Sequence, residues 1–207
     1  ETSGDVADFI TLWTYPIGNW GDEAAVKELT DAFTAETGIK VVYDTFESNE
    51  AMYGVLKNDG ASYDVVIPSD YMISRMIEED MLEPLNFDNI PNFEDVDPAL
   101  KNPDYDPENL YSVPYMWGLL GVIYNTTMVD EAPTSWGVMF DEDYSGQILM
   151  FNNSRDAIGV ALKYLGYSYN TTDENQIKEA VDLLIQQKPL VQSYVMDDIF
   201  EKMQSGS

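Results

Sequence analysis

The stretch at residues 111–125, YSVPYMWGLLGVIYN, opens on a polar turn with Pro114 and then runs apolar from Tyr115 to Tyr124, interrupted only by Gly118 and Gly121. Such a run reads as a strand buried on both faces, although periodicity alone leaves a buried helix open. The two glycines and the β-branched Val122 and Ile123 favour the strand. Short apolar segments alternate with amphipathic ones on either side of it. The expected architecture is therefore α/β with two lobes, 1–118 and 119–207, joined by a crossing strand at about 115–124. The cleft created by that crossing is the expected place for function.

Upstream, residues 9–15, FITLWTY, read as a first strand that leads into the loop PIGNWGD. In 23–35, Ala25, Val26, Leu29, Ala32 and Phe33 recur at helical spacing, and Gly38 ends the helix. A second strand follows at 39–46. Ser48 then caps a helix over 49–57 whose Met52, Val55 and Leu56 are expected to face inward. Residues 63–67, YDVVI, form a third strand that Pro68 closes, with Ser69 placed to cap a helix through Glu79. Strand and helix in alternation predict a parallel sheet covered on both sides. Ligands of such sheets bind beyond the carboxyl ends of the strands, where Ser69 and Tyr71 fall. They read either as a hydroxyl and a ring offered to a ligand or as a helix cap and a packed tyrosine.

Residues 83–111 carry five of the ten prolines and many Asp and Asn residues, and read as a long surface connection. Within it Asp104, Asp106 and Glu108 lack the spaced ligands and central glycine of an EF-hand loop, so a solvated acidic loop is expected, with no metal. Downstream, a short helix is expected over 135–140 and a strand over 146–151. A helix capped by Ser154 or Asn153 then presents Ala157, Val160, Ala161 and Leu165 to the core and ends at Gly166. Asn152, Asn153 and Asp156 thereby sit at a strand end and first helical turn, as Ser69 does in the first lobe. An acid there also favours the helix dipole, which is a sufficient structural reason for Asp156. A further helix to Gln187, a strand over 190–195 and a helix over 197–204 complete the chain.

Composition narrows the function. The 207 residues include no His and no Cys, which excludes Ser-His-Asp and Cys-His nucleophilic sites, zinc sites of the usual kind and disulfides. Ten basic residues against 38 acidic ones give a net charge of −28, which argues against nucleic acid and for cationic ligands. Most of those carboxylates serve simply to solvate the surface. No apolar run reaches the roughly 20 residues of a membrane span. The polar start, ETSGDVAD, reads as a mature or trimmed N-terminus.

Four blocks in order, ETGIKVVYDTFESNEAMY, YDVVIPSDYMISRMIEEDML, YDPENLYSVPYMWGLLGVIYN and SRDAIGVALKYLGYSYNTTD, resemble the spermidine/putrescine-binding proteins of bacterial ABC importers. The resemblance implies a type II periplasmic-binding-protein fold, with two lobes closing on a polyamine and a second lobe that is incomplete in this chain. It also implies delivery to a membrane permease, a periplasmic or extracellular location with or without a lipoprotein anchor, a monomer, no cofactor and no catalysis. The family's ligand residues carry over to Ser69 and Tyr71, to Asp156 in place of the usual Glu, and to Asn153 where some members have Asp. The aromatic motif at the end of the first strand falls on Tyr15 or, past an apparent insertion, on Trp20 with Gly21 and Asp22.

A polyamine needs carboxylates at its ammonium groups and aromatic faces along its methylenes, and four Trp and fourteen Tyr in an acidic chain suit that demand. A neutral or zwitterionic solute such as a sugar is the same-fold alternative, favoured by Asn153. An acidic glycosidase using paired carboxylates, and a truncated sensor or adhesion module, are more distant ones.

Overall fold

The computed structural model describes residues 9–14, 23–58, 62–196 and 198–206. The chain divides into two compact units, Glu1–Gly118 and Leu119–Ser207. In the first, β1 (Phe9–Thr14), β2 (Lys40–Thr45) and β3 (Val65–Ile67) form a parallel sheet in the order β2-β1-β3. β1 pairs with β2 from Phe9 opposite Lys40 to Thr14 opposite Thr45, and with β3 from Leu12 opposite Val65 to Thr14 opposite Ile67. The crossovers are helices, as parallel pairing demands. These are α1 (Glu23–Thr37) between β1 and β2, and α2 (Asn49–Lys57) between β2 and β3, with α3 (Asp70–Glu78) following β3.

The core of this unit is Phe46, Met52, Tyr53, Met72 and Met76, bordered by Leu56, Val66 and Tyr71, so α2 and α3 share one apolar layer. It differs from expectation in its outer parts. Only Val26 of the predicted α1 stripe is buried among the described side chains, while Leu29 and Phe33 are exposed, as is Val55 of α2. The sheet is not sealed on both sides either, since Val42 and Val65 remain 49% and 45% exposed. A three-stranded sheet has one interior strand, and both valines lie on its outer ones.

The apolar run is the larger correction. Residues 113–125 form no strand, and Met116, Trp117, Leu119 and Ile123 are 55%, 69%, 89% and 67% exposed. A strand exists only when a neighbour takes up its N–H and C=O groups. Within the first unit a concavity of about 1800 Å³ is lined by β3 and by the segment from Tyr111 to Gly118, among other residues.

The acidic connection also departs from expectation. Short 3-10 turns at Phe87–Asn89, Pro91–Asp95 and Pro98–Leu100 organise it. Asp106 is 3% exposed rather than solvated. Its carboxylate accepts the backbone N–H groups of Leu110, Tyr111 and Ser112 and the Ser112 hydroxyl at 2.8 to 3.0 Å. Asn102 and Asn109, in the left-handed region, turn the chain around it.

In the second unit β4 (Ile148–Phe151) pairs in parallel with β5 (Val191–Val195), with an irregularity between Ile148 and Leu149. α4 (Ser154–Tyr164) and α5 (Glu174–Gln187) form the crossover, and α6 (Ile199–Ser205) follows β5. Met150, Ala157 and Val160 pack beside Ala161, Leu162 and Ala180 to make the core. The expected helix at 135–140 is a 3-10 turn, Trp136–Phe140, capped by the Ser135 hydroxyl.

Candidate functional site

In the first unit the carboxyl end of β3 and the N-termini of α2 and α3 converge. Ser48 caps α2, its side chain accepting the Ala51 N–H at 3.1 Å. That cap places Asn49 in the first turn, where it is buried at 4% exposure. The Asn49 Oδ1 accepts the Ser69 N–H at 3.0 Å, which fixes the orientation of the amide because a backbone N–H can only donate. Its Nδ2 therefore faces two hydroxyls, donating to Ser69 Oγ and to Tyr71 Oη, each at 3.1 Å. The Tyr71 hydroxyl in turn donates to Glu50 Oε1 at 3.0 Å.

Ser69 is the N-cap of α3 by position, with extended backbone, yet its side chain caps nothing. The cap reading of Ser69 is thus corrected, since Asn49 takes its hydroxyl instead. Asp70, in the first turn of α3, accepts the Tyr71 N–H at 2.7 Å. Nearby, burial first and then the charges of Asp70 and Asp106 raise the Tyr105 phenol above its ordinary value, so it stays protonated across the neutral range. The cluster offers carboxylates and polarised hydroxyls, a chemistry suited to a cation or to hydroxyl donors.

In the second unit the site residues fall at the end of β4. Asn152 donates its N–H to Val195 O at 2.9 Å, linking this end to that of β5. The Asn153 side chain caps α4, its Oδ1 accepting from Arg155 N at 2.9 Å and Asp156 N at 3.3 Å. Asp156 follows in the first turn, and its Oδ1 accepts the Tyr169 hydroxyl at 2.7 Å. The Arg155 guanidinium lies 4.8 Å from the Tyr169 ring centre and binds Tyr169 O and Asn170 Oδ1, so this cation is engaged by the loop after α4.

Of the residues expected from sequence, Ser69 and Tyr71 come together through Asn49, and Asn153 and Asp156 share one helix start. Tyr15, Trp20 and Asp22 lie outside the described residues. Asn49, Glu50 and Tyr169 were missed. Asn49 follows a recognisable cap, which hinted at a helix start, but nothing in the sequence marks a partner 20 residues away. Among the described residues no group of three or more acidic side chains is arranged to hold a metal ion, and no helix is long and apolar enough to cross a membrane.

The family model described as bacterial extracellular solute-binding protein matches residues 28–206. The spermidine/putrescine-binding periplasmic protein of Escherichia coli is 40% identical over 191 residues, covering 91% of this chain and 53% of its own. The chain thus spans about half the length of such curated relatives. Among solved structures, the spermidine/putrescine ABC transporter substrate-binding protein PotD of Streptococcus pneumoniae is 40% identical with a TM-score of 0.72, over 97% of this chain and 60% of that one. A putative spermidine/putrescine ABC transporter protein of Listeria monocytogenes is 36% identical with a TM-score of 0.85, over 97% and 61%. The fold is that of the type II periplasmic binding proteins.

Proposed function

The chain belongs to the bacterial extracellular solute-binding proteins, and on that premise we propose that it captures a polyamine such as spermidine or putrescine outside the cytoplasm and delivers it to an ABC permease. The observation that carries this reading is the carboxylate and tyrosine hydroxyl paired beyond the parallel strands of each unit, Glu50 with Tyr71 and Asp156 with Tyr169. An ammonium group donates only, so it is matched by carboxylate and phenol oxygens, and the carboxylate bond is charge-assisted. The net charge of −28 adds long-range attraction for a polycation. The names of the relatives agree with this ligand class. Tyr15, Trp20 and Asp22 are assigned to the same ligand as the aromatic and acidic side chains following β1, and the chain acts as a monomer.

Asn153 favours a second reading, a neutral or zwitterionic solute, because the position carries an uncharged amide whose oxygen is occupied by its own helix. A thermal melt of the 207-residue chain with spermidine, putrescine and a neutral sugar at matched ionic strength separates the two. Ligand at about 100 times its dissociation constant stabilises by roughly 2.7 kcal/mol. A shift with polyamine alone supports the first reading, a shift with sugar alone supports the second, and a melt moved by none of them overturns both for this chain.

A further inference from the structure

Tyr169 is held by three contacts that do not depend on one another. Its hydroxyl donates to Asp156 Oδ1 at 2.7 Å. The Arg155 guanidinium lies 4.8 Å from its ring centre and binds its carbonyl oxygen at 3.3 Å. Its ring lies directly on the backbone of α4 at Gly159, where an added Cβ would come within 1.9 Å of Tyr169 Cε2. A glycine inside a helix is about 1 kcal/mol less favourable than alanine. At Gly159 the missing methyl is the space that the ring fills.

We propose that Tyr169 is a positioning residue for ligand binding: seated in the notch at Gly159, it holds the Asp156 carboxylate in one orientation so that Oδ2 is presented to a cationic group of the solute. The proposal rests on the polyamine reading and names the residue that sets one of its countercharges. Asp is one methylene shorter than Glu, and its carboxylate swings about a single bond beyond Cβ. A phenol bound to one oxygen stops that swing and occupies one acceptor of the carboxylate, which then meets the ligand through the other oxygen. The ring supplies the rigidity, and Arg155 fixes the loop that carries it.

The test is a double-mutant cycle read by calorimetric titration of spermidine into the wild type, Tyr169→Phe, Asp156→Asn and the double variant. Phe keeps the ring and removes only the hydroxyl. Tyr169→Phe is expected to weaken binding about tenfold, and to change it by less than about twofold once Asp156 is already Asn. Gly159→Ala, which displaces the ring from its seat, should reproduce the loss and also lower the melting temperature of the free chain, whereas Tyr169→Phe leaves that seat filled. An equal loss in both backgrounds, or none in either, overturns the proposal. If the wild type binds no polyamine, the polyamine reading fails by itself. Crystal structures of the free wild type and of Tyr169→Phe then decide the positioning role: an Asp156 carboxylate in the same rotamer in both overturns it, and a changed rotamer supports it.

Discussion

Asn49 holds Ser69 twice, its Oδ1 accepting the backbone N–H at 3.0 Å and its Nδ2 donating to the side-chain hydroxyl at 3.1 Å. Asn49→Ala strands the Ser69 N–H in a site where the asparagine is 4% exposed, which is expected to cost about 1–3 kcal/mol. Asn49→Asp keeps the acceptor and should recover part of the loss. Denaturant unfolding measures both, and an Asn49→Ala midpoint equal to the wild type would rule out the stabilising role.

Tyr71→Phe removes the hydroxyl that accepts from Asn49 and donates to Glu50. Spermidine affinity is expected to fall about three- to tenfold, and the free chain to melt below the wild type because one buried Asn49 Nδ2–H loses its acceptor. Titration calorimetry of the variant checks it, and undiminished affinity would remove Tyr71 from the ligand set.

Glu79 ties α3 to α2. Hydrogen bonds from Lys57, then Tyr53, then Arg75 hold its carboxyl down to about 2, against an ordinary 4.5. A depressed carboxyl contributes stability that is fully present above the unfolded value and is lost as pH falls through the folded one. The contribution of Glu79 therefore disappears between about pH 4.5 and 2. Glu79→Gln should flatten the dependence of unfolding free energy on pH in that window while lowering stability at pH 7. An unchanged slope there would exclude the assignment. Because the cluster is exposed, salt should weaken the effect.

Asp106 organises the acidic connection through four hydrogen bonds from residues 110 to 112. Asp106→Ala removes a buried acceptor from three backbone N–H groups and is expected to cost about 3 kcal/mol or more. Limited proteolysis should then cut within 102–112 at protease concentrations that leave the wild type intact. Resistance equal to the wild type would show that the turns hold without it.

The local order of the chain was legible because it rests on signals that act over a few residues. Ser48 before 49–57, Asn153 before α4 and Gly38 and Gly166 at helix ends are readable because caps and left-handed turns need those residue types. Asp106 was misread for the opposite reason: a carboxylate surrounded by Pro and Asn has the composition of a solvated loop whether or not the chain wraps around it. For Ser69 the sequence leaves a helix cap and a ligand hydroxyl as alternatives, and only the approach of α2 discards the cap.

What the amino-acid sequence by itself determined is the alternation of strand and helix, the two α/β units, the exclusion of histidine and cysteine chemistry and the acidic character that favours cations. Tertiary structure decided the rest. It brought Asn49 and Glu50 to Ser69 and Tyr71, and Tyr169 to Asp156 and Gly159, and it left residues 113–125 outside any strand and largely exposed. The physical reason is range. Caps, turns and periodicity are satisfied within one or two helical turns, whereas a strand requires a neighbouring backbone and a buried amide requires particular groups that the chain supplies from elsewhere.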